Sequence, residues 1–133
     1  MADLTVTAAN VRPVNANQCI IRSVPAEVAI DVGEIVWIDP ATETAKLADA
    51  SAAGTMPAIG VVVAVGSQGA TVGAAGDILS VVLFGPVAGF TLTAGNEAYV
   101  SDTAGALADA AGTVSQVFGM GLPDSILFVN PQL

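Results

Sequence analysis

Apolar residues recur at every second position in short runs along this chain, and Gly, Pro, Asp and Asn bound the runs. That pattern is the signature of half-buried strands joined by turns. Leu4 and Val6 alternate with Thr5 and Thr7, which predicts a first strand. The weakly periodic stretch from Ala8 to Gln18 reads as extended backbone, so residues 1–18 form an N-terminal arm, with fraying at a chain terminus as the plain alternative. Residues 19–133 read as one β-domain. Its predicted strands are Cys19–Val24, Val28–Ile30, Ile35–Ile38, Thr44–Leu47, Ile59–Val65, Ile78–Leu83, Phe90–Leu92, Ala98–Val100, Ala106–Leu107, Val114–Met120 and Ser125–Val129. Asp39-Pro40 stops one of them and Gly85-Pro86 another, because proline cannot donate to a strand ladder. Gly66–Gly69 is a loop. Helical propensity is confined to Ala45–Ala53, since Ala104–Ala111 is interrupted by Gly105. Turn signals every 8–12 residues predict an all-β fold: a compact sandwich or barrel of many short strands, with at most one short helix.

The strands carry an internal repeat. Val28 to Asp39 and Phe90 to Asp102 each run from an alternating segment through a glycine turn into a strand with a central aromatic and a closing Asp. Aligning Gly33 with Gly95 places Trp37 opposite Tyr99. Further on, Leu47-Ala48-Asp49-Ala50 answers Leu107-Ala108-Asp109-Ala110, and Ile59-Gly60-Val61 answers Phe118-Gly119-Met120. Two related β-units follow, about residues 28–65 and 90–129, packed as one body because neither can bury its apolar face alone. Trp37 and Tyr99, the only Trp and Tyr, are the expected core anchors of the two halves. The alternative is that one of them is a hot spot facing a partner.

Composition changes this picture in one respect. Charged residues are 11% of the 133 and hydrophobic ones 53% before the 14 glycines are counted, whereas a soluble domain is about 25% charged. Much of the outer surface is therefore expected to be an interface. The net charge of −9, with Arg12, Arg22 and Lys46 as the only cations, leaves no footprint for phosphates, so direct nucleic-acid binding is not expected. The same deficit argues against an anionic membrane surface. The dense apolar part of the uncharged stretch Ala50–Gly76, Ala58 to Val65, is far shorter than the roughly 20 residues of a membrane-spanning helix. The N-terminus lacks the basic, then apolar, character of a signal peptide. Cys19 is the single cysteine, which excludes an intrachain disulfide and permits a reducing compartment.

Candidate chemistry is sparse. The chain has no histidine, which removes the commonest general base and metal ligand and the usual Ser-His and Cys-His pairs. Cys19 reads as a packed thiol. Asp39 with Glu43, and Asp102 with Asp109, are paired carboxylates that in principle serve acid-base work or calcium. They sit beside Pro, Thr and Gly, where Asp commonly closes turns. The glycines at 66, 69, 73 and 76 fit neither a dinucleotide fingerprint nor a P-loop, and Gly119-Met120-Gly121 lacks a third glycine in register. No enzyme activity, cofactor or metal is expected.

Gly33-Glu34-Ile35-Val36-Trp37-Ile38-Asp39, and Gly95-Asn96-Glu97-Ala98-Tyr99-Val100-Ser101-Asp102-Thr103-Ala104-Gly105-Ala106-Leu107, resemble the glycine-turn and aromatic-strand signature of tailed-bacteriophage capsid decoration (cement, head-stabilising) proteins. Phe118-Gly119-Met120-Gly121-Leu122, followed by Asp124 to Val129, is similar to that family's closing strands. The resemblance covers roughly residues 28–129 and departs from the pattern at Asn96 and in the Ala/Gly-rich middle. It implies a homo-oligomer, a trimer, made in the host cytoplasm and bound to the capsid exterior of the virion. There it would clamp adjacent major capsid proteins of the expanded head. Leu4, Val6, Val11, Pro13 and Val14 of the arm are the candidates for partner contact. A fibre, spike or tail-tube subunit, or a small ligand-binding β-barrel, are the rival readings.

Overall fold

The computed structural model describes residues 2–66 and 69–132; Ser67 and Gln68 of the expected Gly66–Gly69 loop lie outside the described residues, as do Met1 and Leu133. The described strands are β1 (Thr5–Val6), β2 (Arg12–Pro13), β3 (Ile20–Pro25), β4 (Ile35–Asp39), β5 (Thr44–Leu47), β6 (Gly60–Ala64), β7 (Ile78–Ala88), β8 (Phe90–Thr91), β9 (Glu97–Val100), β10 (Leu107–Ala108), β11 (Val117–Leu122) and β12 (Ile126–Val129). The helical segments among them are single 3-10 turns at Ala8–Asn10, Ala16–Gln18 and Ala53–Thr55, each of 3 residues. The fold is all-β.

Ten strands form one curled antiparallel sheet, a half-barrel, along the order β10-β9-β11-β12-β7-β6-β4-β5, with β2 and β3 also on β7. Read inward from either edge, the order is the same. An edge strand (β5 or β10) pairs with the strand before it (β4 or β9). Next come β6 or β11, and then β7 or β12. Residues related by the sequence repeat hold matching registers. Val36 lies opposite Gly60, and Ala98 opposite Gly119; Ile35 lies opposite Val61, and Glu97 opposite Met120. The glycine turns match as well. Gly33 has φ of 92° and Gly95 of 87°, a left-handed conformation that only glycine adopts cheaply. Each turn closes with a backbone bond, Glu34 N–H to Asp31 O at 3.2 Å and Asn96 N–H to Thr93 O at 3.1 Å.

Two devices join the units. Strand β7 serves both: its first half pairs with β6 (Val82 with Val61) and its second with β12 (Val87 with Leu127). The curl then brings the outer edges together. Gly105 N–H donates to Ala48 O at 2.8 Å, Ile35 N–H to Gly105 O at 2.9 Å, and Ala50 N–H to Ser101 O at 2.9 Å. Beneath these contacts, the buried Gln116 side chain clasps the other unit. It accepts from Ala58 N–H at 2.8 Å and donates to Ala58 O at 3.0 Å. Phe90, Phe118, Ile30, Ile35, Leu79, Leu107 and Leu127 are fully buried around this seam.

Two expectations are corrected. The strand expected to end at Gly85-Pro86 runs on to Ala88. Gly85, with φ of 124°, redirects the strand where it exchanges its neighbours β6 and β3 for β12 and β2, so the Gly-Pro pair marks a change of partner. Val28–Ile30 is a loop; only Ile30 is buried, with Val28 39% exposed. Thr44–Leu47 is the expected strand, β5; the helical propensity of Ala45–Ala53 is overridden because Ala45 and Lys46 pair with Ile38 and Trp37, and tertiary pairing outweighs alanine's propensity.

Candidate interaction surface

The arm expected to reach outward lies along its own body. Thr5 and Val6 pair with Thr91 and Phe90, Leu4 N–H donates to Leu107 O at 2.9 Å, and Val14 N–H donates to Pro86 O at 3.0 Å. Pro13 sits opposite Val87, and Val11 is buried. These segments satisfy edge groups of β7, β8 and β10 that would otherwise lack partners. Of the five arm residues proposed for partner contact, Leu4, Val6, Val11 and Pro13 thus face the chain itself; Val14, 48% exposed, stays open.

The two aromatic anchors have different fates. Trp37 is half-buried and packs against the core, its Nε1–H buried without an acceptor among the described residues. Tyr99 is not a core residue. Its neighbours Ala98 and Val100 take the inward positions, so alternation along β9 turns the phenol outward. There it donates to Glu97 Oε1 at 3.1 Å, and that bond with the carboxylate's charge pushes the Tyr99 phenol up from its usual range.

The acids bind backbone and side-chain donors of the chain itself. Asp39 accepts from Ala41 N–H at 2.9 Å and pairs with Lys46 Nζ at 2.7 Å; the Lys46 ammonium holds its carboxyl below the ordinary range. Asp102 accepts from Thr113 N–H and Oγ1 at 2.8 and 2.7 Å, and Asp109 accepts from Ala2 N–H at 3.0 Å. Glu34 accepts from Asp31 N–H at 2.8 Å inside the first glycine turn, where burial raises its pKa. Cys19 donates to Pro86 O at 3.5 Å, and burial pushes its thiol up. Among the described residues no three His, Cys, Asp or Glu side chains gather into a metal-binding group.

What the surface does present is apolar. Val14, Ile20, Ile21, Val28, Val72, Ile78, Phe84 and Met120 are large apolar side chains left exposed. Two sets emerge. Val28, Val72 and Ile78 lie on adjoining segments, tied by Ala26 N–H to Asp77 O (2.8 Å) and Val32 N–H to Thr71 O (2.9 Å). Ile20, Phe84, Phe128 and Met120 form a row across strands. Ile20 is the register partner of Phe84 and Met120 that of Phe128. The Phe84 and Phe128 rings meet edge to face with centroids 5.1 Å apart. Beyond Met120 the row ends on Glu97, at the rim of a groove of about 410 Å³ lined by Val117, Met120 and Phe128. Sequence reasoning missed this row because it falls within continuous apolar runs that give no sign of which face stays bare.

Comparison with protein-family models, with curated proteins and with solved structures finds no match to this chain. No described helix is long and apolar enough to cross a membrane.

Proposed function

We propose that this chain is a structural subunit of a phage virion, bound as a trimer to the capsid exterior, where it clamps adjacent major capsid proteins of the expanded head. The observation that carries the reading is the exposed apolar surface, divided into two sets, in a chain only 11% charged. Such patches on a soluble protein mark contact with other proteins. The resemblance of residues 33–39 and 95–107 to decoration proteins supplies the class of partner. In this reading the protein is not an enzyme and takes no cofactor. It acts through area and multivalency, since joined weak contacts bind as one strong one. The end of the half-barrel that carries Val28, Val72 and Ile78 is the surface assigned to the capsid. Mixing purified protein with expanded heads that lack it tests this. Saturable binding that raises the temperature at which heads release DNA is expected, with Val72→Asp and Ile78→Asp together weakening it at least about tenfold. Heads that stay bare overturn the reading.

A further inference from the structure

We propose that the outer face of the second β-unit seats a neighbouring copy of this chain, head to tail: β3 of one copy, through Ile20, Ile21 and Arg22, packs on Met120, Phe128 and Glu97 of the next. This inference rests on the oligomeric part of the reading above and specifies its seam.

The first argument is an asymmetry between the two units. In the first unit the sheet is covered on both faces: Ile35, Val36, Val61, Val62, Val81 and Val82 are each 0% exposed. In the second unit β9 and β12 alternate buried with open positions. The registers equate Ile35 and Val61 with Glu97 and Met120. A face closed by the chain itself in one unit is therefore bare in the other, where Met120 is 43% exposed.

The second argument is the condition of β3. Residues Ile20 to Ser23 are exposed in succession, with Ile20 at 57% and Ile21 at 38%. A strand packed on one face would alternate. Its one strand partner is β7, and no other described backbone bond reaches Ile20 to Val24. An apolar strand with a free edge is a ready site for another chain.

Charge selects that chain. Residues 4–26 contain Arg12 and Arg22 and no acid, while the twelve acids all lie elsewhere. Arg22 is exposed and makes no ion pair among the described residues. At the other end of the row Glu97 is exposed and oriented by Tyr99. A second copy thus offers the acid that Arg22 lacks, beside an apolar groove for the two isoleucines. Pairing β3 with β3 would instead bring two Arg22 side chains together, and like charges across an interface are disfavoured.

Shape makes the contact head to tail. The row crosses β3, β7, β12, β11 and β9, four strand spacings or about 19 Å. It lies on the face opposite Phe118, Leu127 and Val129, which are buried inside the curl. That outer face is the outside of the curl, so its two ends meet different neighbours, and head-to-tail contacts of this kind form a ring when the rotation between copies closes and a filament when it does not.

Sedimentation equilibrium on the full chain tests the seam. The wild type is expected at three times the 13.1 kDa chain mass. Arg22→Glu alone, or Glu97→Arg alone, should weaken association at least about tenfold with unchanged circular dichroism, and the two together should restore the wild-type mass. Met120→Asp, which touches neither charge, should also give monomer. Single reversals that keep the trimer mass, or a double reversal that stays monomeric, overturn the proposal. Head binding is read separately. A ring that leaves heads bare sinks the capsid reading and leaves this seam standing; a monomeric wild type that decorates heads does the reverse.

Discussion

Replacing Gly119 by alanine is expected to remove on the order of 3 kcal/mol of stability, and the same change at Gly60 a similar amount. A Cβ on Gly119 would be driven into the carbonyl oxygen of Phe128, with Leu127 Cδ1 only 3.2 Å away. At Gly60 it would meet the carbonyl oxygen of Val82 and lie 2.6 Å from Val81 Cγ1. The obstacle in both places is backbone of the next strand, held in the sheet on either side, so no rotamer change relieves it. The two glycines occupy equivalent registers, Val36 to Gly60 and Ala98 to Gly119. Their losses should therefore be alike. Since a domain holds about 5–15 kcal/mol in total, each variant should lower the urea midpoint by more than about 1 M. Gly54, with no atom within 4 Å of an added Cβ, is the control, and its alanine should stay within about 0.5 kcal/mol of wild type. An unchanged midpoint for Gly119→Ala would mean the strands do not approach as described.

The second large effect is at Gln116. Its amide satisfies both the N–H and the C=O of Ala58, and both residues are buried, Gln116 at 5% and Ala58 at 0% exposure. Gln116→Leu keeps most of the volume and removes both bonds. Each buried backbone group left without a partner costs about 1–3 kcal/mol, so a loss of about 2–6 kcal/mol is expected for the two. Hydrogen exchange gives a local readout, because the Ala58 amide should lose its protection. If Gln116 only fills space, the leucine variant will match wild type in both measurements.

These positions show what the sequence carries and what it does not. Period-two alternation places most strands within a few residues, because each buries one face. The glycine turns at Gly33 and Gly95 make the repeat legible, since a left-handed turn demands glycine in both copies. Side-chain direction is less legible. Trp37 and Tyr99 align in the repeat, yet Ala98 and Val100 take the interior of β9 and leave Tyr99 only half-buried. The repeat does place the two aromatics alike, each half-buried beside a buried neighbour, Val36 or Ala98; what alignment leaves open is that only Trp37 packs against the core. The docking of the arm is not legible in the sequence, because it depends on the edges of β7, β8 and β10, which exist only once the half-barrel has formed. Gln116 gave no signal, because a glutamine before an apolar strand looks like a surface residue. The bare outer face was hidden for the opposite reason: Leu127-Phe128-Val129 is apolar throughout, so periodicity assigns it no exposed side.

The low charge, the exposed apolar sets and Arg22, which makes no ion pair among the described residues, are what support the proposal of a chain covered by other protein. The proposal that the cover is a sister subunit and a capsid lattice is tested most directly by the copy number of this protein in purified virions, measured against the major capsid protein. The account predicts a fixed stoichiometric ratio, with a copy number per particle divisible by three, and none of the protein on heads that have not expanded. A handful of copies per particle, as in a tail or fibre, or none at all, would contradict it.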